Sequence, residues 1–124
     1  VRHDTYLVKV SVTGRIMAGS DLFTGTLDLL ILKALTWGPR HGYAVGRWIR
    51  ETTADVLVVQ EGALYPALHR LERKGLLSED WRESETGRQA KYYTLTARGR
   101  AHLRAERQRW EQFATAVARA LATA

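Results

Sequence analysis

The apolar residues of this chain change their spacing twice, and that order restricts the fold more than any single motif. From Leu27 to Leu71 they recur at helical intervals, from Leu77 to Leu95 they alternate as in strands, and from Leu103 to Val117 they fall seven apart. Three helices, a β-hairpin and one long helix follow from that order.

In the first segment, starting near Thr24, Leu27, Leu30, Ile31, Ala34 and Leu35 form an amphipathic stripe. Leu29 and Leu32 widen it, so this helix is expected to be buried on two sides until Gly38-Pro39 ends it. A second helix starts near His41, with Ala44, Val45, Trp48 and Ile49 on one face. The β-branched residues of 56–60 predict a short extended piece. A third helix over 62–74 turns Leu64, Leu68 and Leu71 inward, carries Pro66 near its first turn, and meets Gly75 as its C′ residue.

Leu77, Glu79, Trp81 and Glu83 alternate with their neighbours, and residues 90–95 form a second strand with Tyr92 and Tyr93 on opposite faces. Ser84-Glu85-Thr86-Gly87 between them has turn composition. The last helix starts after Thr96, a suitable N-cap. Its seam is Leu103, Trp110 and Val117, complemented by Phe113 and Ala120 and flanked by Ala114 and Leu121.

The expected class is therefore mainly α with a β-hairpin wing, a winged helix-turn-helix plus a long C-terminal dimerisation helix. The boundaries read as a 1–21 extension, disordered or a peripheral strand, then a 22–96 winged-helix unit and a 97–124 dimerisation helix. Residues 1–16 admit two readings. They are an extension upstream of a natural start at Met17, or they join the fold through the alternation of Tyr6, Val8, Val10 and Val12. A peripheral segment is preferred.

A chain of 124 residues fits one domain with a small core, and burial by dimerisation would help it. It has no cysteine, which excludes a disulfide framework and a thiolate metal site. No apolar run approaches the roughly 20 residues that span a bilayer, and the N-terminus lacks signal-peptide layout, so a cytoplasmic protein without membrane contact is expected. There is no His-Glu-x-x-His spacing and no phosphate-binding glycine loop, so no enzyme, cofactor or metal is expected. The net charge of +6 permits a polyanionic partner. Residues 61–91 nevertheless hold six basic and six acidic side chains, so the reading region is neutral overall.

With its leucines turned inward, the third helix presents Pro66, His69, Arg70 and Arg73, with Ala63 and Ala67 at the margins. Small residues permit close approach, and arginine can grip guanine edges or phosphate. Arg88 beside Gly87, and Lys91 on the return strand, place two cations on a projecting hairpin, while Glu83 and Glu85 oppose an anionic partner. From these residues alone three classes stay open: a reader of duplex DNA, a winged helix used for protein–protein contact, and a ligand sensor without direct DNA reading.

Several runs together resemble PadR-type regulators. Leu27-Asp28-Leu29-Leu30-Ile31-Leu32, Gly38-Pro39 and His41-Gly42-Tyr43 resemble that family's first two helices. Glu61-Gly62-Ala63-Leu64-Tyr65-Pro66-Ala67-Leu68-His69-Arg70-Leu71-Glu72 resembles its recognition helix. Gly87-Arg88, Lys91-Tyr92-Tyr93 and Leu95-Thr96 with Gly99 resemble its wing and hinge. The likeness covers roughly residues 22 to 115, is greatest for the short-tailed subgroup with one helix after the wing, and leaves residues 1–16 without a counterpart. It implies a homodimeric, usually repressive regulator that binds an inverted-repeat operator in double-stranded DNA and is released by a small-molecule effector or stress signal.

The expected DNA-facing set is Ala63, Tyr65, Pro66, His69, Arg70, Arg73, Arg88 and Lys91. Within it Arg70 reads base edges or, equally, clamps a phosphate, and Arg88 and Lys91 follow phosphates or the minor groove. Tyr65 has an equal alternative, packing under the second helix, and His41 caps or packs. The expected dimerisation set is Leu27, Leu30, Ile31, Leu103, Trp110, Phe113, Val117 and Leu121. The resemblance gives Trp110 a second role, stacking a flat ligand. Arg98, Arg100, Arg104, Arg107 and Arg109 read as a solvated helix face.

Overall fold

The computed structural model describes residues 16–17 and 21–124, and side chains from residue 26 onward. The alternating Tyr6, Val8, Val10 and Val12 lie outside the described residues.

Helix α1 spans Asp21–Ala34, three residues longer at its start than the stripe alone predicts. It unwinds through successive turns, with Leu35 N donating to Leu32 O at 3.2 Å and Gly38 N to Leu35 O at 3.4 Å. Strand β2 (Arg40–His41) follows, then α2 (Gly42–Thr52). His41 resolves to a cap: its Nδ1 accepts from Ala44 N at 3.2 Å, satisfying one of the helix's orphan donors. The expected extended piece is β3 (Leu57–Val58), which pairs in parallel with β1 (Ile16–Met17). The preferred peripheral segment thus reaches the fold at its last residue.

Helix α3 (Glu61–Arg73) buries Leu64, Ala67, Leu68 and Leu71. Pro66 stands in its second turn, where the missing N–H removes a single backbone bond. Gly75 takes φ of +78°, the left-handed C′ conformation that glycine adopts without strain. Strands β4 (Leu77–Glu83) and β5 (Gln89–Leu95) form the wing, in register from Leu77 opposite Leu95 to Glu83 opposite Gln89. Strand β2 joins β5 on its other edge, giving a three-stranded sheet of order β2-β5-β4 that the sequence reading lacked. Helix α4 (Ala97–Ala122) begins at Thr96, whose Oγ1 accepts from Gly99 N at 2.9 Å, as the N-cap expectation required.

The core gathers one face from each element. Ile31 and Leu32 of α1, Leu35 in the turn after it, Val45 and Ile49 of α2, and Leu68 and Leu71 of α3 are all essentially inaccessible. Tyr93 and Leu95 close the core from the wing, and Leu103 closes it from α4. This placement divides the expected dimerisation set into buried and exposed residues. Leu27, Ile31 and Leu103 are only 6%, 0% and 8% exposed within one protomer, so their apolar surface is already covered by their own chain. Leu30 is half-buried against the same core. Trp110, Phe113, Val117 and Leu121, by contrast, are exposed along α4. The arginines at 98, 100, 104, 107 and 109 are exposed too, with Arg107 and Arg109 paired to Glu111 and Glu106 on their own helix.

Candidate nucleic-acid interface

The packing of α3 decides which of its residues remain outside. With Leu64, Leu68 and Leu71 inward, the line farthest from the core is Gly62, Pro66, His69 and Arg73, and all four are exposed. Ala63 sits half-buried at one flank. No side chain at Gly62 and a ring without a donor at Pro66 leave the first turns of α3 low in relief, so a flat polymer can approach the backbone closely.

Arg70 lies on neither this line nor its wing side. Its Nη2 donates to Asp28 Oδ1 of α1 in a close ion pair. Arg70 is thus turned toward α1 and held there by Asp28, with its side chain still partly exposed. Lys91 is likewise engaged. Its ammonium pairs with Glu79 across the hairpin and stands 3.5 Å from Glu72 Oε1 on α3. It also lies 5.1 Å from the Tyr93 ring centre. The hydrogen bond to Glu79 holds the Lys91 ammonium well above the usual lysine range. Burial pushes the Glu72 carboxyl up, while hydrogen bonds from Glu72 and Lys91 draw Glu79 down. Lys91 therefore ties the wing to α3, its ammonium engaged where the sequence suggests a phosphate-facing cation. Two ion-pair clasps, at Arg70 and Glu72, flank α3 within one helical turn.

The remaining cations are better placed for an anion. Arg73 and Arg88 are exposed, and among the described residues no carboxylate is in ion-pair reach of either. The same holds for Arg47 on α2, which the sequence reading passed over. Its guanidinium lies 5.8 Å from the centre of the Tyr43 ring, and Tyr43 is itself 61% exposed. Tyr43 and Arg47 are four apart, on the face of α2 opposite Val45 and Ile49. That polar stripe was the available signal.

Tyr43, Arg47, Tyr65 and the wing residues Thr86 and Tyr92 line an open groove of about 720 Å³ between α2, α3 and the hairpin. Glu85 also lines it, so the groove carries mixed charge. Tyr65 packs beside α2, as its second reading expected. Its ring packs against the N-terminus of α2 yet stays 42% exposed in the groove, and burial with nearby Glu61 raises its hydroxyl's pKa. A Cβ added at Gly42 would stand 2.7 Å from Tyr65 Cε1 and 3.2 Å from Leu68 Cδ1. Gly42→Ala is therefore expected to destabilise by about 1–3 kcal/mol through overpacking. It should also quench or shift Tyr65 signals in aromatic NMR. An unchanged urea midpoint would show that the ring yields freely.

A second hollow, about 500 Å³, lies between α1 and α4 and is lined by Asp28, Leu29, Trp110 and Phe113 among others. It adjoins the exposed seam of α4.

Comparison with known proteins agrees with this architecture. Residues 31–105 match the model of the transcriptional regulator PadR-like family. A transcriptional regulator of Mycobacterium tuberculosis is 40% identical over 73 residues, 58% of this chain and 67% of that protein. Among solved structures, a transcriptional regulator from Clostridium thermocellum superimposes with a TM-score of 0.74 at 30% identity, covering 81% of this chain and 97% of that one. A PadR-like regulator from Bacillus cereus gives 0.74 at 27% identity, over 85% and 100% of the two chains. These relatives are regulators, not enzymes. With its helix-turn-helix, wing and long terminal helix, the chain belongs to the PadR-like family of transcriptional regulators.

Proposed function

We propose that this regulator binds duplex DNA as a homodimer, with residues 22–96 reading the DNA and 97–124 joining the protomers. The exposed line Gly62, Pro66, His69 and Arg73 enters the major groove, an arrangement an α-helix fits. The hairpin follows the backbone with Arg88, and Tyr43 and Arg47 approach phosphates from α2. The observation that carries this reading is the groove between α2, α3 and the wing, lined by Arg47, together with exposed Arg73 on α3 and Arg88 on the wing; among the described residues no carboxylate is in ion-pair reach of these three. The relatives' description as transcriptional regulators supports it.

The proposal extends to repression of an inverted-repeat operator in the cytoplasm, relieved when a small effector enters the hollow between α1 and α4. That hollow has the volume typical of a small-molecule site and an aromatic wall.

Binding to a duplex enriched from a randomised library should weaken steeply as salt rises, by about 0.9 log units per log unit of salt for each phosphate neutralised. Arg88→Ala should weaken enriched and scrambled duplexes by similar factors and flatten that slope by about one unit for each phosphate that Arg88 neutralises. Binding indifferent to salt would reject the DNA reading. A loss in Arg88→Ala confined to the enriched duplex would make the wing a base reader.

A further inference from the structure

We infer that Asp28 is a positioning residue for DNA reading, acting through Arg70. The inference rests on the DNA-binding reading above and deepens it. Asp28 and Arg70 are 42 residues apart in sequence, and their ion pair joins α1 to the outer half of α3. Arg70 belongs to the DNA-reading helix, but its direction is set from α1.

Three features of the ion pair support this. The carboxylate engages Nη2 alone, and among the described residues the guanidinium makes no other hydrogen bond. A guanidinium carries five N–H donors, so Nε and Nη1 remain for a phosphate oxygen. An arginine already fixed in one rotamer loses less conformational freedom when it meets that oxygen. The pair also opposes the Glu72–Lys91 contact on the other flank of α3. Together the two clasps fix how far the helix is rolled about its axis, and hence where His69 and Arg73 point. Finally, Asp28 lines the hollow beside Trp110 and Phe113, so the group that holds Arg70 also faces α4.

The sign of one substitution separates this role from a mere surface charge. Removing an acidic side chain from a DNA-binding protein ordinarily raises its affinity, because a like charge near the phosphates is gone. A positioning carboxylate gives the opposite sign. The side chains of Asp28 and Arg70 are 33% and 41% exposed, so the pair adds little to stability, and Asp28→Asn should stay folded.

The test is a double-mutant cycle of Asp28→Asn and Arg70→Gln in the full chain. It is read as binding to the duplex that wild type enriches from a randomised library and to a scrambled duplex, with urea midpoints alongside. Asp28→Asn should weaken the enriched duplex about 5- to 10-fold, and should have almost no effect when Arg70 is already glutamine. Asp28→Glu, which keeps the carboxylate, should recover most of the loss. Asp28→Asn that binds both duplexes more tightly, or that costs the same with Arg70→Gln present, overturns the inference while leaving DNA binding intact. Wild type that selects no duplex overturns the DNA-binding reading and this inference with it.

Discussion

Gly99→Ala should lower the stability of the protomer by about 3 kcal/mol or more, the upper range for overpacking a closed site. A Cβ at Gly99 would collide with the carbonyl oxygen of Leu76 and stand 2.7 Å from Leu95 Cδ1. The first obstacle is backbone, and it cannot move aside. Leu76 O accepts from Thr96 N at 3.2 Å, while Thr96 Oγ1 donates to the adjacent Gly75 O at 2.8 Å and caps α4 by accepting from Gly99 N. The collision thus strikes the junction where the wing's last strand, the start of β4 and the first turn of α4 are stitched together. Urea unfolding should show the midpoint falling with an unchanged slope, by roughly 1–3 M for a typical slope. Gly62→Ala is the control. Nothing lies within 4 Å of its Cβ, so alanine there should stabilise by about 0.5–1 kcal/mol through helix propensity. A Gly99→Ala midpoint matching wild type would mean that the junction relaxes, and that the first turn of α4 is not held as described.

How much of this was legible beforehand differs between fold and site. The helices, the hairpin and the Thr96 cap follow from spacing and local chemistry, because each depends on residues close in sequence. Strand β2 was not legible. Arg40-His41 is too short to show alternation, and it becomes a strand only because the turn after α1 lays it beside Tyr92 and Tyr93. Leu27 and Ile31 suit a dimer face on sequence grounds because α1 is apolar on two sides. A wheel cannot tell whether the second apolar face meets a partner or the rest of the same chain, and the protomer's own core takes it.

At the site, the outward line of α3 was legible and the charges were not. Arg70 lies roughly 120° from the leucine stripe at 100° per residue, which is a flank of the helix and not its crown. Which neighbour meets a flank depends on tertiary packing, and here Asp28 of α1 does. Lys91 shows the same limit. Alternation places it on the face of β5 that carries Tyr93 and Leu95, but only the folded chain brings Glu72 and Glu79 to it. Each charge is engaged beside α3, whereas Arg47, Arg73 and Arg88 have no carboxylate in ion-pair reach among the described residues.

Trp110→Ala combined with Val117→Asp should convert the protein to monomers and cost about 10²- to 10⁴-fold in affinity for a two-half-site operator. Only Gly99 and Leu103 of α4 are buried, both near its start. Beyond them Trp110, Phe113, Val117 and Leu121 are 46%, 67%, 39% and 80% exposed at i, i+3, i+7 and i+11. These positions make one stripe, which continues from the hollow against α1. An uncovered apolar stripe of this length marks an interface, and its heptad spacing suits a second helix of the same kind. A helix end without tertiary support is also marginal in water, so the partner would keep residues 104–122 helical. Sedimentation should therefore show a dimer for wild type and a monomer for the double variant, with some loss of helical circular dichroism in the variant. Its urea midpoint at monomer concentrations should stay near that of wild-type protomers, because none of the four side chains belongs to the core. Binding to a single half-site should survive the substitutions, since the groove between α2, α3 and the wing lies elsewhere. Wild type sedimenting as a monomer at micromolar concentration would remove the dimer, and with it the two-half-site geometry. A dimeric double variant would place the interface on another face.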